Sequence, residues 1–153
     1  MQVFDLNRQP REEWRQGVLT RMLTSAANGG GQLCIFEQWC ETGHGAPTHL
    51  HAVEEVLHVL DGQAEVWIGD ERATLTKGQL TVVPAGRKHG FSNTGTSVLH
   101  IQSTLASPVF EAASAEARPA GPAGRGRRHR RRLGFDFGFP LGLGAEGARQ
   151  RHE

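Results

Sequence analysis

A chain of 153 residues with a net charge of +1 has room for one domain with a real core. Its 20 glycines and short apolar runs favour β structure. No apolar run is long enough to cross a bilayer as a helix, and the absence of tyrosine excludes a mechanism that needs a tyrosine acid.

The small net charge hides a division of the chain. Residues 1–116 carry 8 basic against 13 acidic side chains, and residues 117–153 carry 9 against 3. The first part is the expected domain. An acidic body does not favour nucleic acid, so any such binding would fall to the tail. The amino terminus, MQVFDLNRQPREEW, has neither the basic start nor the apolar run of a signal peptide, which makes the cytoplasm the expected compartment.

In chain order, the opening segment through Arg15 and Gln16 is polar, with Trp14 as its large anchor, and is expected to lie along the wall of the domain. Residues 17–24 and 31–40 read as strands joined by a turn rich in Asn28 and glycine. A loop carries His44 toward the mouth of the fold, and short strands follow over 48–51, 55–62, 63–69, 72–76, 79–84, 89–93 and 97–106. Each closes on a Gly, Asp, Asn or Pro turn signal, the pitch of an antiparallel barrel or jelly roll. A short helical turn is the reading for residues 107–117. Cys34 and Cys40 share one strand, six residues apart, too far to bond with each other. From residue 117 the Arg, Gly and Pro bias predicts a solvated, disordered tail over 117–153.

Chemistry concentrates in two stretches, GHGAPTHLHAVEEVLHVLDG over 43–62 and GQLTVVPAGRKHGFSN over 78–93. His49 and His51 are two apart, so on a strand both imidazoles enter the same space. His89 follows a Pro–Gly turn and starts a new strand. Imidazole is a ligand for zinc, copper, iron and nickel, and a carboxylate adds the oxygen that suits manganese and iron. Glu54 and Glu55 point to opposite faces, so one of them can join the histidines. Alternation turns His58 away from the space that Leu57 and Val59 enter.

These stretches resemble the two paired motifs of the cupin superfamily, and every signature position is filled. The resemblance implies an all-β antiparallel cupin or jelly-roll β-barrel over residues 1–116. It also implies one divalent transition metal (Fe, Mn, Ni, Cu or Zn) held by His49, His51, Glu55 and His89, with Glu55 doubling as a catalytic base. Family spacing is what selects Glu55 over Glu54. The activities it brings are those of dioxygenases, isomerases, decarboxylases and non-catalytic metabolite binders. Metal-dependent oxygenation of a small chelating organic substrate is the leading expectation. A small-molecule-binding sensor or a metal-dependent isomerase stands second. The resemblance further implies a homodimer joined through amino-terminal strands. Expected pocket residues are Gln38, Trp67, Phe91, His100 and Gln102, with Phe36 or Trp39 beside them, a mostly apolar lining for a small planar ligand. Arg87 and Lys88 are placed at the solvent end of their loop.

Overall fold

The computed structural model describes residues 1–111 and, as backbone, residues 113–114. The expected tail over 117–153 lies outside the described residues. Eleven strands form among them: β1 (Glu12–Arg15), β2 (Val18–Thr24), β3 (Cys34–Cys40), β4 (Gly45–Leu50), β5 (Glu55–Asp61), β6 (Gln63–Ile68), β7 (Glu71–Thr76), β8 (Leu80–Val83), β9 (His89–Asn93), β10 (Leu99–Leu105) and β11 (Ala113–Ser114). They build a six-stranded sheet in the order β1-β2-β3-β10-β5-β8 and a five-stranded sheet in the order β11-β4-β9-β6-β7. Every pairing is antiparallel. The two sheets are a jelly-roll sandwich and do not close into one continuous hydrogen-bonded barrel. No helix among the described residues is long and apolar enough to cross a membrane.

Alternation builds the interior. In β5, Glu55, Leu57 and Val59 are buried while Val56, His58 and Leu60 are half-exposed, so His58 does face away. Leu99, Ile101, Ser103 and Leu105 do the same in β10. Val18, Leu57, Val59, Val66, Phe91 and Ile101 belong to the main apolar core. A second cluster of Cys34, Phe36 and Leu105 packs with Trp14, Met22, Val53 and Phe110. Both cysteines are free and buried.

Two segments differ from the sequence expectation. Residues 12–15 are a paired edge strand, with the exposed Glu12 and Glu13 suiting an edge that meets water and Trp14 and Arg15 half-buried. The reading of a helical turn over 107–117 gives way to bends at 106–109 and to β11, which pairs with Leu50 and His49 of β4. A strand edge with free backbone groups is a stronger partner there than one unsupported helical turn.

Candidate metal centre

The three histidines and the glutamate come from neighbouring strands. β4 and β9 pair so that His49 stands opposite His89, with an irregularity between Ala46 and His49. The close approach of these strands depends on Gly45, where a Cβ would fall 2.1 Å from the Phe91 carbonyl oxygen. His51 follows the end of β4, and Glu55 opens β5. Gly86, at φ +74°, turns the loop before His89 and donates its N–H to the His51 carbonyl at 2.7 Å, tying the two motifs together.

One donor atom from each of His49, His51, Glu55 and His89 falls within a 4.8 Å span. His51, Glu55 and His89 are buried and His49 is half-buried. Glu54 is exposed, so Glu55 is the carboxylate that shares the space. The tautomers follow from the outer hydrogen bonds. Nδ1 of His49 faces the Pro47 carbonyl at 2.8 Å, Nδ1 of His89 faces the Arg87 carbonyl at 2.8 Å, and Nδ1 of His51 faces the Glu111 carbonyl. A carbonyl only accepts, so each Nδ1 donates, and each Nε2 of a neutral ring presents a bare lone pair.

Those lone pairs converge. Nε2 of His49 and of His51 are 3.2 Å apart, and Glu55 Oε2 lies 2.7 Å from His89 Nε2 and 3.6 Å from His51 Nε2. Acceptors facing acceptors repel unless a proton or a cation lies between them. A divalent ion at the point of convergence satisfies all four at once, so the residues fit the metal that the cupin fold implies. Burial, then the neighbouring His89, lowers the His49 pKa to about 4, which keeps that ring neutral and able to ligate. Burial also pulls His89 down, but its hydrogen bonds to Glu55 and to the Arg87 carbonyl outweigh this and leave its pKa raised.

A small cavity of about 30 Å³ opens beside His49 and Glu55, floored by Gln38 and Ser103 and walled by aromatic and aliphatic side chains. Gln38 donates Nε2 to Thr20 Oγ1 at 3.1 Å. Of the expected pocket residues, Gln38 and Phe91 line this cavity, together with Phe36. Trp67, His100 and Gln102 do not. Trp67 alternates with the buried Ala64 and Val66 of β6 and lies on the outer face, bonding Thr48 Oγ1 at 2.9 Å. His100 and Gln102 alternate with Leu99, Ile101 and Ser103, which puts them outside as well; the His100 ring stacks on Trp39 at 4.5 Å. Arg87 and Lys88 are exposed, with Arg87 4.0 Å from Glu71. His44 packs against Gly17, at the opposite end of β4 from His49.

Among the contributors that escaped the sequence reading are Arg15, Phe110 and the Glu111 carbonyl. Trp14, Arg15 and Phe110 line the cavity, and the Phe110 ring lies 5.5 Å from that of His51. Phe110 stands in the sequence as the one aromatic between the last long strand and the tail, the available hint that the chain turns back there.

The two-sheet sandwich and its inward cluster of three histidines and one glutamate define a cupin-type centre. Residues 38–105 match the model of the cupin domain, and the solved structures that resemble the fold include cupins. The chain is similar to an RmlC-like cupin from Shewanella frigidimarina, with 23% identity, 69% of this chain and 88% of that chain covered, and a TM-score of 0.59. It is also similar to the polyketide cyclase RemF from Streptomyces resistomycificus (17% identity, 75% and 85% covered, TM-score 0.65). An oxalate decarboxylase from Bacillus subtilis resembles it at 18% identity with 71% of this chain and 30% of that chain covered, at a TM-score of 0.62. No curated protein matches the sequence. At these identities the likeness establishes a shared fold and leaves the activity open.

Proposed function

We propose that the protein is a metal-dependent cupin enzyme that oxygenates a small chelating organic substrate. The observation that carries this reading is the convergence of three imidazole Nε2 atoms and one carboxylate beside a cavity with mostly apolar walls. A redox-active divalent ion, when bound, supplies the electron transfer that oxygenation needs.

The remaining work falls to side chains. Carbonyls of Pro47, Arg87 and Glu111 hold the three rings in the ligating tautomer and orientation. Glu55 lines the cavity and is the one carboxylate there, so it is the group that takes a proton from an acidic substrate at Oε2. Phe36, Phe91 and Leu57 exclude water from the bound substrate. β1 leaves one edge of the larger sheet open, which supports pairing of two copies through their amino-terminal strands; light scattering that shows monomer alone at micromolar concentration would count against that pairing.

Metal content should be measured in protein purified without a metal-binding tag, followed by oxygen uptake with enols, catechols and flavonols. Turnover with iron, manganese, nickel or copper is the expected result. Zinc alone, or tight binding without oxygen uptake, would replace the oxygenase reading with a non-catalytic binding one.

A further inference from the structure

Arg15 sits where the alternation of an edge strand breaks. Glu13 of β1 pairs with Leu19 and Arg15 with Val18, with a register shift between them. One extra residue in a strand turns two successive side chains to the same side. Trp14 and Arg15 accordingly both line the cavity that His49 and Glu55 also line. Trp14 packs against Phe36, at 5.5 Å between ring centroids, and against Phe110 at 5.4 Å.

The guanidinium that arrives there meets no anion. Its Nε is buried without a hydrogen-bond partner, and its side chain takes part in no ion pair among the described residues. The other described arginines are engaged: Arg21 with Glu37 at 2.7 Å, Arg72 with Glu65 at 2.8 Å, Arg8 with Asp5 at 3.4 Å, Arg87 with Glu71 at 4.0 Å, and Arg11 over the Trp39 ring. Burial pulls Arg15 below its ordinary value, and the neighbouring Cys40 thiol, itself pushed up to about 12 by burial, is neutral and offers no counter-charge. Glu55, the carboxylate lining the cavity, is engaged by His89 and His51. Arg15 as a whole is half-buried, and a cation whose Nε is taken from water without a partner loses hydration that nothing repays, so fold stability alone gives no reason to turn it inward.

We infer that Arg15 is the anchor for a carboxylate, and that the ligand of this cavity is a small organic acid. The planar guanidinium fork matches the two oxygens of a carboxylate. The acid's apolar body lies against Trp14, Phe36 and Phe110, and its second donor group faces the His49 and Glu55 end. This assignment rests on the proposed site reading and narrows its substrate class, with binding as the only step it adds.

Thermal melts of the metal-loaded and chelator-stripped protein with propionate test it. Propionamide is the neutral isostere, inorganic phosphate the competing anion, and sodium chloride the ionic-strength control. Propionate should raise the melting temperature in a saturable way in both forms, while propionamide, phosphate and chloride should not. Arg15→Met should weaken the propionate response at least tenfold, raise the ligand-free melting temperature and leave metal content unchanged; Arg15→Lys should keep part of the response. A wild type indifferent to propionate overturns the assignment, as does one that answers phosphate equally. So does an Arg15→Met protein that responds like the wild type. Should Arg15→Met fail to fold, an Arg15→Lys protein that responds to propionate as strongly as the wild type overturns it. A protein that binds no metal yet responds to propionate through Arg15 would sink the metal-centre reading and leave this one standing.

Discussion

The central strands and the segments that flank them divide the site between them. β4, β5, β9 and the turn after β4 supply all four candidate ligands, whereas residues 12–15 and 110–111 supply Trp14, Arg15 and Phe110 to the cavity wall and one carbonyl to His51. The central strands are fixed on both sides by neighbours; β1 and β11 each hang from one edge. Elements held by a single ladder open more readily than those inside a sheet. A candidate metal centre built on the rigid part and a cavity wall built on the edges lets the wall side chains change with little cost to the centre, save at the Glu111 carbonyl that holds His51. The matched cupin domain, residues 38–105, stops short of both flanks.

Breaking the central half should have the largest effect. His49→Ala, His51→Ala and His89→Ala should each remove most of the bound metal, since each loss leaves three donors and an extra open position. Elemental analysis is the check, and near-full occupancy in two of the three variants would overturn the ligand assignment. Glu55→Gln should retain part of the metal and lose proton transfer.

The flank comes next. Glu111 fixes the His51 tautomer, and Phe110 lies against the same ring, so a chain ended after Val109 should bind metal roughly 10–100-fold more weakly, the range for losing an outer-shell partner. A chain ended after Ala117 keeps both groups and should titrate like the full protein in chelator competition. Equal affinity of the two truncations would mean that the carboxyl-terminal flank is a wall and no part of the centre.

A third effect is graded with pH. His49, with a pKa lowered to about 4, stays neutral over the working range, whereas His89 has its pKa raised above the usual 6.5 and shares a proton with Glu55. That proton must leave for a cation to enter. Affinity should therefore hold above the His89 pKa and fall as pH drops through it, by about tenfold per unit for one displaced proton. Calorimetry in two buffers of different ionisation enthalpy should report close to one proton released per metal near the ordinary histidine pKa, about 6.5. Release of none would show that the metal-free pair holds no proton.

The candidate quartet is legible because its chemistry is local: two histidines two residues apart, a glutamate four further on, and a histidine past a Pro–Gly turn. The face of a strand is less legible. CIFEQWC carries bulky side chains on both faces, so Phe36 and Trp39 are equivalent until β10 is laid beside them, and only Phe36 faces in. In QAEVWI the interior takes the small Ala64 and Val66, because β9 brings Phe91 to the same space, and the large Trp67 is left outside. The polar chemistry of His100 and Gln102 suggests a place in the pocket, against an alternation with Leu99 and Ile101 that puts them out. Arg15 is hidden for a different reason: a bulge has no period, and no count along EEWR reveals it.

The smallest expected effects lie on those outer positions, and they test whether the centre is insulated from the surface. Trp67 bonds Thr48, the residue before His49, and lies under Arg72 with the guanidinium 5.4 Å from the ring centroid. Trp67→Phe keeps an aromatic ring and removes a solvent-exposed hydrogen bond, a change of about 1 kcal/mol or less in stability. His100→Ala removes the stack on Trp39 and the 3.6 Å contact with Glu37, about 0.5–1.5 kcal/mol by the usual worth of an aromatic pair. β9 lies between β4 and the β6 strand of Trp67 and holds the β4 backbone in place, so neither change has a route to the imidazole positions. Both variants should melt within a few degrees of the wild type with unchanged metal content. If Trp67→Phe lowers metal content more than twofold, Thr48 transmits the outer face to His49, and the separation of centre from surface fails at that residue.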